Sequence, residues 1–286
     1  MSKVVLITGA ATGFGRDTAE TLAAAGHKVF ASMRDPKGRN REPADALKKQ
    51  GIEVVELDVG DDLSVDTAVS DVLRQAGTID VLVNNAGIFS LGVTEAFTAD
   101  QARLLFNTNV VGLLRTTRAV LPAMREQRDG LIVNLSSIVG RVTFPFFGLY
   151  GSTKFAVEAL SDSLRYEVSQ LGVDVVLVQP SAYPTSIFDN VHLPADRGRT
   201  GEYGDVGKIP DAMFEQFKAN FEAADAPNPH EVAEAILGLI SAGKGTRPAR
   251  TVVGAPFGAD AVNDQTAPVQ ASVIDGLGLG HLAKVA

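Results

Sequence analysis

The chain contains no cysteine and no tryptophan among its 286 residues, and it has only four histidines. The lack of cysteine excludes disulfide bonds and thiolate metal sites, and it is typical of proteins from a reducing compartment. The histidines are far apart in the sequence and have no pair of carboxylates beside them: they are His27, His192, His230 and His281. No metal site is therefore predicted.

Long apolar runs and an excess of positive charge are also absent from the sequence. No apolar run reaches the roughly 18 residues that a membrane span needs, and the first residues do not have the pattern of a signal peptide. The net charge of −8 and the isoelectric point near 5.1 argue against nucleic acid or an anionic membrane surface as a partner. We therefore expect a cytoplasmic protein.

Short runs of mainly apolar residues are frequent, and hydrophobic residues make up 45% of the chain. Such runs are typical of strands buried on both faces of a parallel sheet. Six of them are Val4–Ile7, Val29–Ala31, Val54–Leu57, Val81–Val83, Leu131–Leu135 and Val173–Val178. Segments of helical character lie between them at Thr18–Ala25, Leu63–Gln75, Ala99–Gln127 and Thr153–Gln170. This alternation predicts a Rossmann-type, doubly wound parallel α/β sheet in three α/β/α layers.

The alternation is unbroken as far as Val178, and we expect residues 1–286 to form a single domain. Residues 181–226 are rich in proline, glycine and charge, and we interpret them as a substrate-binding loop or lid. Residues 254–286 form a tail without a clear period. The other predicted elements are a helix at Asp211–Ala223, a helix from Asn228-Pro229 to about Leu239, and a strand at Thr251–Val253.

A glycine-rich segment follows the first predicted strand and leads into a helix. It reads Thr8-Gly9-Ala10-Ala11-Thr12-Gly13-Phe14-Gly15. Glycines let the backbone approach a pyrophosphate closely, and the helix N-terminus offers it unpaired N–H groups. The alternative is a glycine-rich turn with a purely structural purpose. Its position favours a dinucleotide site that uses Gly9, Thr12, Gly13, Phe14 and Gly15.

The end of the second predicted strand bears on the choice of dinucleotide. An acid there binds the ribose 2′-hydroxyl of NAD, whereas a basic residue accommodates the 2′-phosphate of NADP. The chain has Ser32 and Met33 at this point, followed by Arg34. We therefore favour NADP(H), with Arg34 on the phosphate. NAD(H) is the alternative, with Asp35 on the hydroxyl and Arg34 as a surface charge.

A tyrosine, Tyr150, precedes a lysine, Lys154, by four residues, and Ser137 lies thirteen residues before the tyrosine. A phenol has a pKa of about 10 and serves as an acid or base near neutrality only if a positive charge favours the phenolate. Residues four apart share a helix face, so the Lys154 ammonium can reach the region of the Tyr150 ring. Taken alone, the pair is better explained as a surface tyrosine and a solvated lysine.

Together these motifs resemble the short-chain dehydrogenase/reductase family in its single-domain branch, over roughly residues 3–185. Further matching segments are Asp58-Val59 after the third strand, Asn84-Asn85-Ala86-Gly87 after the fourth, and Asn109 in Asn109-Val110-Val111-Gly112. The resemblance implies that Asp58 and Val59 hold the adenine ring of the cofactor. It also implies that Asn85, Ala86 and Gly87 line the cofactor cleft, although Asn84 is as well explained by a structural role.

The resemblance implies a catalytic tetrad of Asn109, Ser137, Tyr150 and Lys154. Hydride passes between the cofactor and a carbonyl carbon while Tyr150 exchanges a proton with the oxygen, which Ser137 holds in line. Lys154 lowers the Tyr150 pKa and binds the nicotinamide ribose, and Asn109 places a water that resupplies the proton. Two alternatives stay open: Ser136 points inward instead of Ser137, or Asn109 caps a helix break with Gly112.

At the nicotinamide end of the site, the family commonly has Pro-Gly followed by a threonine. This chain has Pro180 and Thr185 in those places, and both are expected to contact the cofactor. Ser181 replaces the glycine and is expected to add a side chain beside the nicotinamide.

Aromatic residues near the proposed reaction centre indicate the substrate. Phe144 lies between Ser137 and Tyr150, and Phe188 lies on the predicted lid, so both are candidates for an apolar pocket. Core or subunit contacts are the alternative for these side chains.

We therefore expect an NADP(H)-dependent oxidoreductase that interconverts a hydrophobic ketone or aldehyde and its alcohol. The sequence is similar to hydroxysteroid and retinol dehydrogenase relatives, and the family resemblance suggests a homodimer or homotetramer. The other interpretations are an NAD-dependent alcohol dehydrogenase of the same family and a non-catalytic, NADP(H)-binding redox sensor.

Overall fold

A seven-stranded parallel sheet forms the centre of the computed structural model, which describes residues 2–286. The strands are β1 (Val4–Ile7), β2 (Lys28–Met33), β3 (Glu53–Glu56), β4 (Val81–Asn84), β5 (Gly130–Leu135), β6 (Val173–Pro180) and β7 (Arg250–Val253). Their order is β3-β2-β1-β4-β5-β6-β7. The chain order reverses between β1 and β4, and in such sheets ligands bind beyond the carboxyl ends of the strands at that reversal.

The main helices are α1 (Gly13–Ala24), α2 (Arg41–Lys49), α3 (Asp62–Ala76), α4 (Ala99–Phe106), α5 (Gly112–Gln127), α6 (Gly148–Ser169), α7 (Arg197–Glu202), α8 (Ile209–Glu222), α9 (His230–Ser241) and α10 (Ala259–Gly276).

Helices cover both faces of the sheet. Side chains alternate between the faces along a strand, so Val5 and Ile7 pack against α1, α2 and α9, whereas Leu6 packs against α3, α5 and α6. All three of these strand residues are fully buried, and each such side chain contributes about 1.5–3 kcal/mol by leaving water. The predicted three-layer, doubly wound fold is confirmed.

The largest difference from the predicted elements lies in the long helix expected at Ala99–Gln127. It is divided by one π-helical turn, Asn107–Val111, that separates α4 from α5. An inserted π turn realigns the side chains that follow it, and such turns are frequent at functional sites. Here the turn carries Asn109.

Two helices outside the segment 181–226 fall where the sequence has no clear signal. In the tail, α10 is largely exposed, and Ala259 is its buried residue, so the helix leaves little periodic pattern for the sequence to display. Its side chains nevertheless reach the rest of the fold, because Asn263 donates to Gln179 Oε1 at 2.7 Å. The other helix is α2, whose second turn follows Pro43.

The segment 181–226 contains the two helices α7 and α8. The helix expected after Asn228-Pro229 is α9, and the Asn228 side chain accepts a hydrogen bond from the His230 backbone N–H at 3.1 Å. The predicted last strand corresponds to β7, which is parallel to β6. No helix among residues 2–286 combines the length and the apolar character that a membrane crossing requires.

Candidate active site

The glycine-rich loop connects β1 to α1 and is held in place from the end of β4. The Asn85 side-chain amide donates to the carbonyls of Thr8, at 2.8 Å, and Gly9, at 3.0 Å. Gly9 has φ +67°, and a Cβ atom there would lie 2.9 Å from the Ala86 Cα. Gly9 therefore cannot be replaced without moving the chain, and Asn85 and Ala86 act on this loop through direct contact.

The segment after β6 lies across the same loop. Ser186 Oγ donates to Thr12 Oγ1 at 2.7 Å, and a Cβ atom built on Gly13 would lie 3.5 Å from the Thr185 Cβ. Gly13 has φ +55°, which suits glycine, and it begins α1. Thr185 is thus brought to the glycine-rich loop, as its expected place near the cofactor requires.

Arg34 and Asp35 differ in what their side chains contact. Asp35 has φ +46°, and its Oδ2 accepts from the backbone N–H of Arg39 at 2.9 Å, so its carboxylate is directed to its own loop. Arg34 is exposed at the end of β2, and its guanidinium has no hydrogen bond or ion pair within the described chain. Of the two residues, Arg34 is the one whose charge is available to a ligand.

Asp58 and Val59 follow β3. The Asp58 carboxylate accepts from the Gly60 backbone N–H at 2.9 Å, and the side chain is half-buried. Val59 is buried against α5, where a Cβ atom on Gly112 would lie 2.9 Å from the Val59 Cβ. Both residues therefore lie at the carboxyl end of the sheet, next to β2 and close to the start of α5.

Ser137 and Tyr150 meet above the end of β5. Ser137 Oγ donates to the carbonyl of Pro180 at 3.2 Å and accepts from the Val139 N–H at 3.3 Å. A hydrogen bond between Ser137 and Tyr150 lowers the pKa of the phenol, but burial has the larger effect and raises that pKa above its ordinary value. Ser136 Oγ is buried without a partner among the described residues and lies towards Gly140. Ser137 is thus the serine that faces Tyr150.

Lys154 lies one helical turn after Tyr150 in α6 and is 7% exposed. Its Nζ donates to the carbonyl of Leu135 at 2.8 Å and lies 5.6 Å from the centre of the Tyr150 ring. Burial lowers the pKa of Lys154 to about 8, while the Glu158 carboxylate acts in the opposite direction.

Lys154 was expected to lower the pKa of Tyr150, and the structure differs from this expectation in one respect. Burial and Ser137 are the causes that act on the phenol. The ammonium lies over the ring and is hydrogen-bonded to the end of β5. The predicted proximity of lysine and tyrosine is therefore present, but the pKa of Tyr150 is raised.

Asn109 lies in the π turn, and its side-chain amide is fully engaged. Oδ1 accepts from the Ile88 N–H at 2.8 Å, and Nδ2 donates to the Ile88 carbonyl at 2.9 Å and to Thr153 Oγ1 at 3.1 Å. The side chain therefore joins the π turn to the loop after β4 and to α6, rather than capping its own helix at Gly112. Gly87 packs beside the same amide.

Asn84 has a purely structural environment. It is buried at the end of β4, where its Nδ2 donates to Asn134 Oδ1 at 2.9 Å and to Thr117 Oγ1 at 3.1 Å. Its Oδ1 accepts from Thr116 Oγ1 at 2.6 Å. No polar atom of this side chain is left for a ligand, so the structural interpretation is the one the geometry favours.

Ser181 does not occupy the space that was expected for it. A Cβ atom built on Gly254 would collide with both the Ser181 Oγ and the Tyr183 hydroxyl. The serine side chain therefore lies beside Gly254 and Tyr183. Tyr183 is fully buried, donates to Glu231 Oε2 at 2.7 Å, and packs edge-on against Phe14 with ring centres 5.6 Å apart. The serine that replaces the glycine thus faces β7 and α9.

Aromatic rings cover one side of Tyr150. Phe89 packs edge-on against Tyr150 with ring centres 5.0 Å apart, and Phe188 lies 5.2 Å from Phe89. Phe188 also contacts Phe217 and Phe221 of α8. The predicted lid is therefore connected to Tyr150 through Phe89, a residue that sequence analysis did not identify because it lies just beyond the Asn84–Gly87 motif and is not part of it.

Phe144 is farther from the reaction centre than Phe188. Its ring contacts Phe147 and Phe257, at centre-to-centre distances of 6.0 and 5.9 Å. It also lines a surface cavity of about 340 Å³ that extends along the start of α6 to Phe155 and does not include Tyr150 among its lining residues. Ser137 is thus a close neighbour of Tyr150, and Phe188 is connected to Tyr150 through the ring of Phe89. Phe144 lies at the edge of this group.

Comparisons with known proteins agree with this geometry. Residues 3–195 match the family model described as short chain dehydrogenase. The curated 3-ketodihydrosphingosine reductase of Bacteroides thetaiotaomicron is 34% identical over 252 residues, which is 88% of this chain and 88% of that protein. A solved short-chain dehydrogenase from Streptomyces avermitilis is 31% identical, with a TM-score of 0.78 and 98% of both chains covered.

Two further solved structures that resemble this chain contain a nicotinamide cofactor. Actinorhodin polyketide ketoreductase with NADPH is 28% identical, with a TM-score of 0.73 over 90% of this chain and 97% of that one. A protein from Burkholderia phymatum in complex with NAD is 26% identical, with a TM-score of 0.76 over 94% of this chain and 95% of that one. The chain is an oxidoreductase of the short-chain dehydrogenase/reductase family.

Proposed function

We propose that the protein reduces a hydrophobic ketone or aldehyde to its alcohol, with NADPH as the hydride donor and Tyr150 as the proton donor. The observation that carries this proposal is the group formed by Ser137, Tyr150 and Lys154 at the carboxyl ends of β5 and β6, beside a glycine-rich loop. In this direction the protonated Tyr150 is the proton donor, and burial acts to raise the pKa of its phenol.

The residues present fit a dinucleotide. The close approach of Gly9 to Ala86 and the positive φ of Gly13 require positions without side chains in the loop before α1, where backbone N–H groups attract a pyrophosphate. In this proposal Gly9, Thr12, Gly13, Phe14 and Gly15 hold the pyrophosphate. Asp58 and Val59 border the adenine, Asn85, Ala86 and Gly87 shape the cleft, and Pro180 and Thr185 lie at the nicotinamide.

The chain's own groups have defined tasks in the reaction. NADPH supplies the hydride to the carbonyl carbon. The Tyr150 hydroxyl donates its proton to the carbonyl oxygen, and the Ser137 hydroxyl donates a hydrogen bond to the same oxygen and orients it. Lys154 places a positive charge over the Tyr150 ring, which favours the phenolate left after the proton has gone. Asn109 fixes the backbone of the π turn beside Thr153 and α6.

An apolar substrate is supported by the rings next to Tyr150. Phe89 contacts the phenol directly, and Phe188 and Phe217 extend the apolar surface towards α8. Such surfaces bind apolar groups because removing them from water is favourable. The relative from Bacteroides thetaiotaomicron is named for the reduction of a ketone, 3-ketodihydrosphingosine, and this supports a ketone as the class of substrate.

Tyr150→Phe tests the proposal. We expect kcat for NADPH-dependent reduction of a panel of aromatic and alicyclic ketones to fall by about 10²–10⁴-fold, the usual contribution of a general acid. Absorbance loss of NADPH measures the rate, and calorimetric titration should give an NADPH Kd close to that of the unmodified protein. Tyr166→Phe, on the same helix, is the matched control and should keep full activity. Activity that survives Tyr150→Phe would refute the mechanism.

Arg34→Ser tests the choice of cofactor. Arg34 is free to bind a 2′-phosphate, whereas Asp35 is engaged by Arg39. Loss of a charged hydrogen bond of about 1.5–3 kcal/mol should raise the KM for NADPH by about 10- to 100-fold and leave that for NADH nearly unchanged. Arg41→Ser, whose side chain pairs with Asp45 at 3.6 Å, is the control. A preference of the unmodified protein for NADH would contradict this part of the proposal.

A further inference from the structure

Buried charged residues are few in the part of the chain that the structure describes. They are Lys154, Glu158 and Asp174, with exposed fractions of 7%, 3% and 1%. Asp174 lies near the start of β6, at the opposite end of the strand from the active site, and pairs with Arg247 at 3.0 Å. Glu158 follows Lys154 by one helical turn in α6, so both side chains lie on the same face of that helix.

The Glu158 carboxylate is held by two donors from two strands. Gln179 Nε2 of β6 donates to Oε1 at 2.8 Å, and Arg250 Nε of β7 donates to Oε2 at 2.8 Å. A guanidinium and an amide thus satisfy both carboxylate oxygens, as a buried charged group requires. Glu158 forms a buried ion pair behind the lysine of the active site.

Other charged groups face Glu158 from the surrounding elements. Arg250 of β7 also pairs with Asp162 of α6, and Arg141 approaches from the loop after β5. Arg250 is therefore shared between two carboxylates, Glu158 and Asp162. Of these groups, Glu158 is the one whose charge acts on Lys154.

We propose that Glu158 is a positioning residue for the reaction, and that its buried carboxylate keeps Lys154 charged and directed at the end of β5 beneath Tyr150. This inference rests on the proposed role of Lys154. A merely structural role, in which Glu158 joins α6 to β6 and β7, would affect stability but would leave the ionisation of Lys154 unchanged.

The pH dependence of the reaction separates these roles. Burial lowers the pKa of Lys154 to about 8, and Glu158 opposes that effect. Reduction needs the charged lysine, so the rate falls as pH rises through this pKa. Removing the Glu158 charge lowers the pKa further, and the decline then begins at a lower pH.

The first test is Glu158→Gln, with kcat measured from pH 6 to pH 10. We expect the falling limb of the profile to move down by about one pH unit, with a rate close to that of the unmodified protein at pH 6. Asp162→Asn removes the other carboxylate on Arg250 and is the matched comparison: Asp162 acts on Lys154 only through Arg250 and Glu158, so its limb should move less than that of Glu158→Gln. Glu158→Asp keeps the charge and should restore the original limb. An unmoved limb in folded Glu158→Gln would overturn the inference.

Arg250→Gln provides a second test if Glu158→Gln does not fold. Removing this guanidinium leaves the Glu158 charge less compensated, so the falling limb should move to higher pH; a limb that stays in place or moves down counts against the inference. Trace acetylation of Lys154 as a function of pH, followed by peptide mass spectrometry, reports its ionisation without turnover. Absence of ketone reduction in the unmodified protein would refute the proposed function, whereas the acetylation profiles would still decide the role of Glu158.

Discussion

Asn84, Asn85 and Asn109 connect the end of β4 to its surroundings in different directions. Each side-chain amide offers donors and an acceptor, so it can satisfy two backbone or side-chain groups at once. Asn84 joins β4 to β5 and α5, Asn85 holds the glycine-rich loop, and Asn109 fixes the π turn. The sequence identified all of these residues, but it could not distinguish which of them lack free polar atoms for a ligand.

Asn84→Ala should destabilise the protein without a specific effect on cofactor binding. The change removes the donor to Asn134 Oδ1 and Thr117 Oγ1 in a buried place, whereas the Thr116 hydroxyl keeps the carbonyls of Gly112 and Leu113 as acceptors. We expect the free energy of unfolding to fall by about 2–3 kcal/mol, measured by urea denaturation and circular dichroism. Asn220→Ala, at an exposed position of α8, is the control. A variant as stable as the unmodified protein would show that these groups find other partners.

Ser181 illustrates what the position of a residue in a motif leaves open. Its neighbours in the chain place it at the nicotinamide end of the site, but the direction of its side chain depends on where Tyr183 and Gly254 lie. Gly254 follows β7 and is distant in sequence, so only the folded chain shows that the hydroxyl is directed away from the cleft.

At the scale of elements, the segment from Pro180 to Ser186 connects several parts of the fold. The Ser181 N–H donates to the Val253 carbonyl at 3.0 Å, Tyr183 donates to Glu231 of α9, and Ser186 donates to Thr12. The segment is therefore held against β7, α9 and the glycine-rich loop at once. Its geometry determines where Thr185 lies relative to Gly13.

Tyr183→Phe should weaken the attachment of the segment Pro180–Ser186 to α9. Removing the hydroxyl breaks the bond to the Glu231 carboxylate, and we expect the KM for NADPH to rise by up to about tenfold, the equivalent of one hydrogen bond. The KM for the ketone should change less. Tyr203→Phe is the matched control, because Tyr203 donates to Glu95 at the same distance of 2.7 Å outside this segment. Equal effects of the two changes on NADPH would argue against the assignment.

The π turn between α4 and α5 is a second feature at this scale. The segment Asn107–Val111 contains no proline to mark a break, so the sequence favours one continuous helix. The extra residue in the turn is stabilised by contacts outside the helix, from Asn109 to Ile88 and Thr153. The spacing of apolar residues indicates only the local helical periodicity. At this position the tertiary contacts of Asn109 stabilise a π turn in place of regular α-helix.

For the whole molecule, the strand order explains why residues distant in sequence share one site. The glycine-rich loop, Asn85, Ser137 and Pro180 follow β1, β4, β5 and β6, which are neighbours in the sheet. Parallel strands bring all their carboxyl ends to the same edge. The sequence pattern was sufficient to predict this edge, because apolar runs and crossover helices specify a parallel sheet.

The apolar surface near Tyr150 depends on the whole fold in a different way. Phe89, Phe188 and Phe217 come from the loop after β4, the segment after β6 and α8, and they share no spacing or motif. Phe257, in the loop before α10, reaches Phe144 at 5.9 Å from the far end of the chain. The positions of aromatic residues in the sequence do not indicate which rings will be in contact in the folded protein.

The sequence by itself determined the sheet, its layers and the proximity of Tyr150 and Lys154, because short apolar runs, glycines at a turn and helical spacing act locally. The tertiary structure decided the direction of the Ser181 and Asp35 side chains, the raised pKa of Tyr150, and the buried Glu158 behind Lys154. These properties depend on burial and on partners from distant parts of the chain, and such contacts exist only once the strands have assembled.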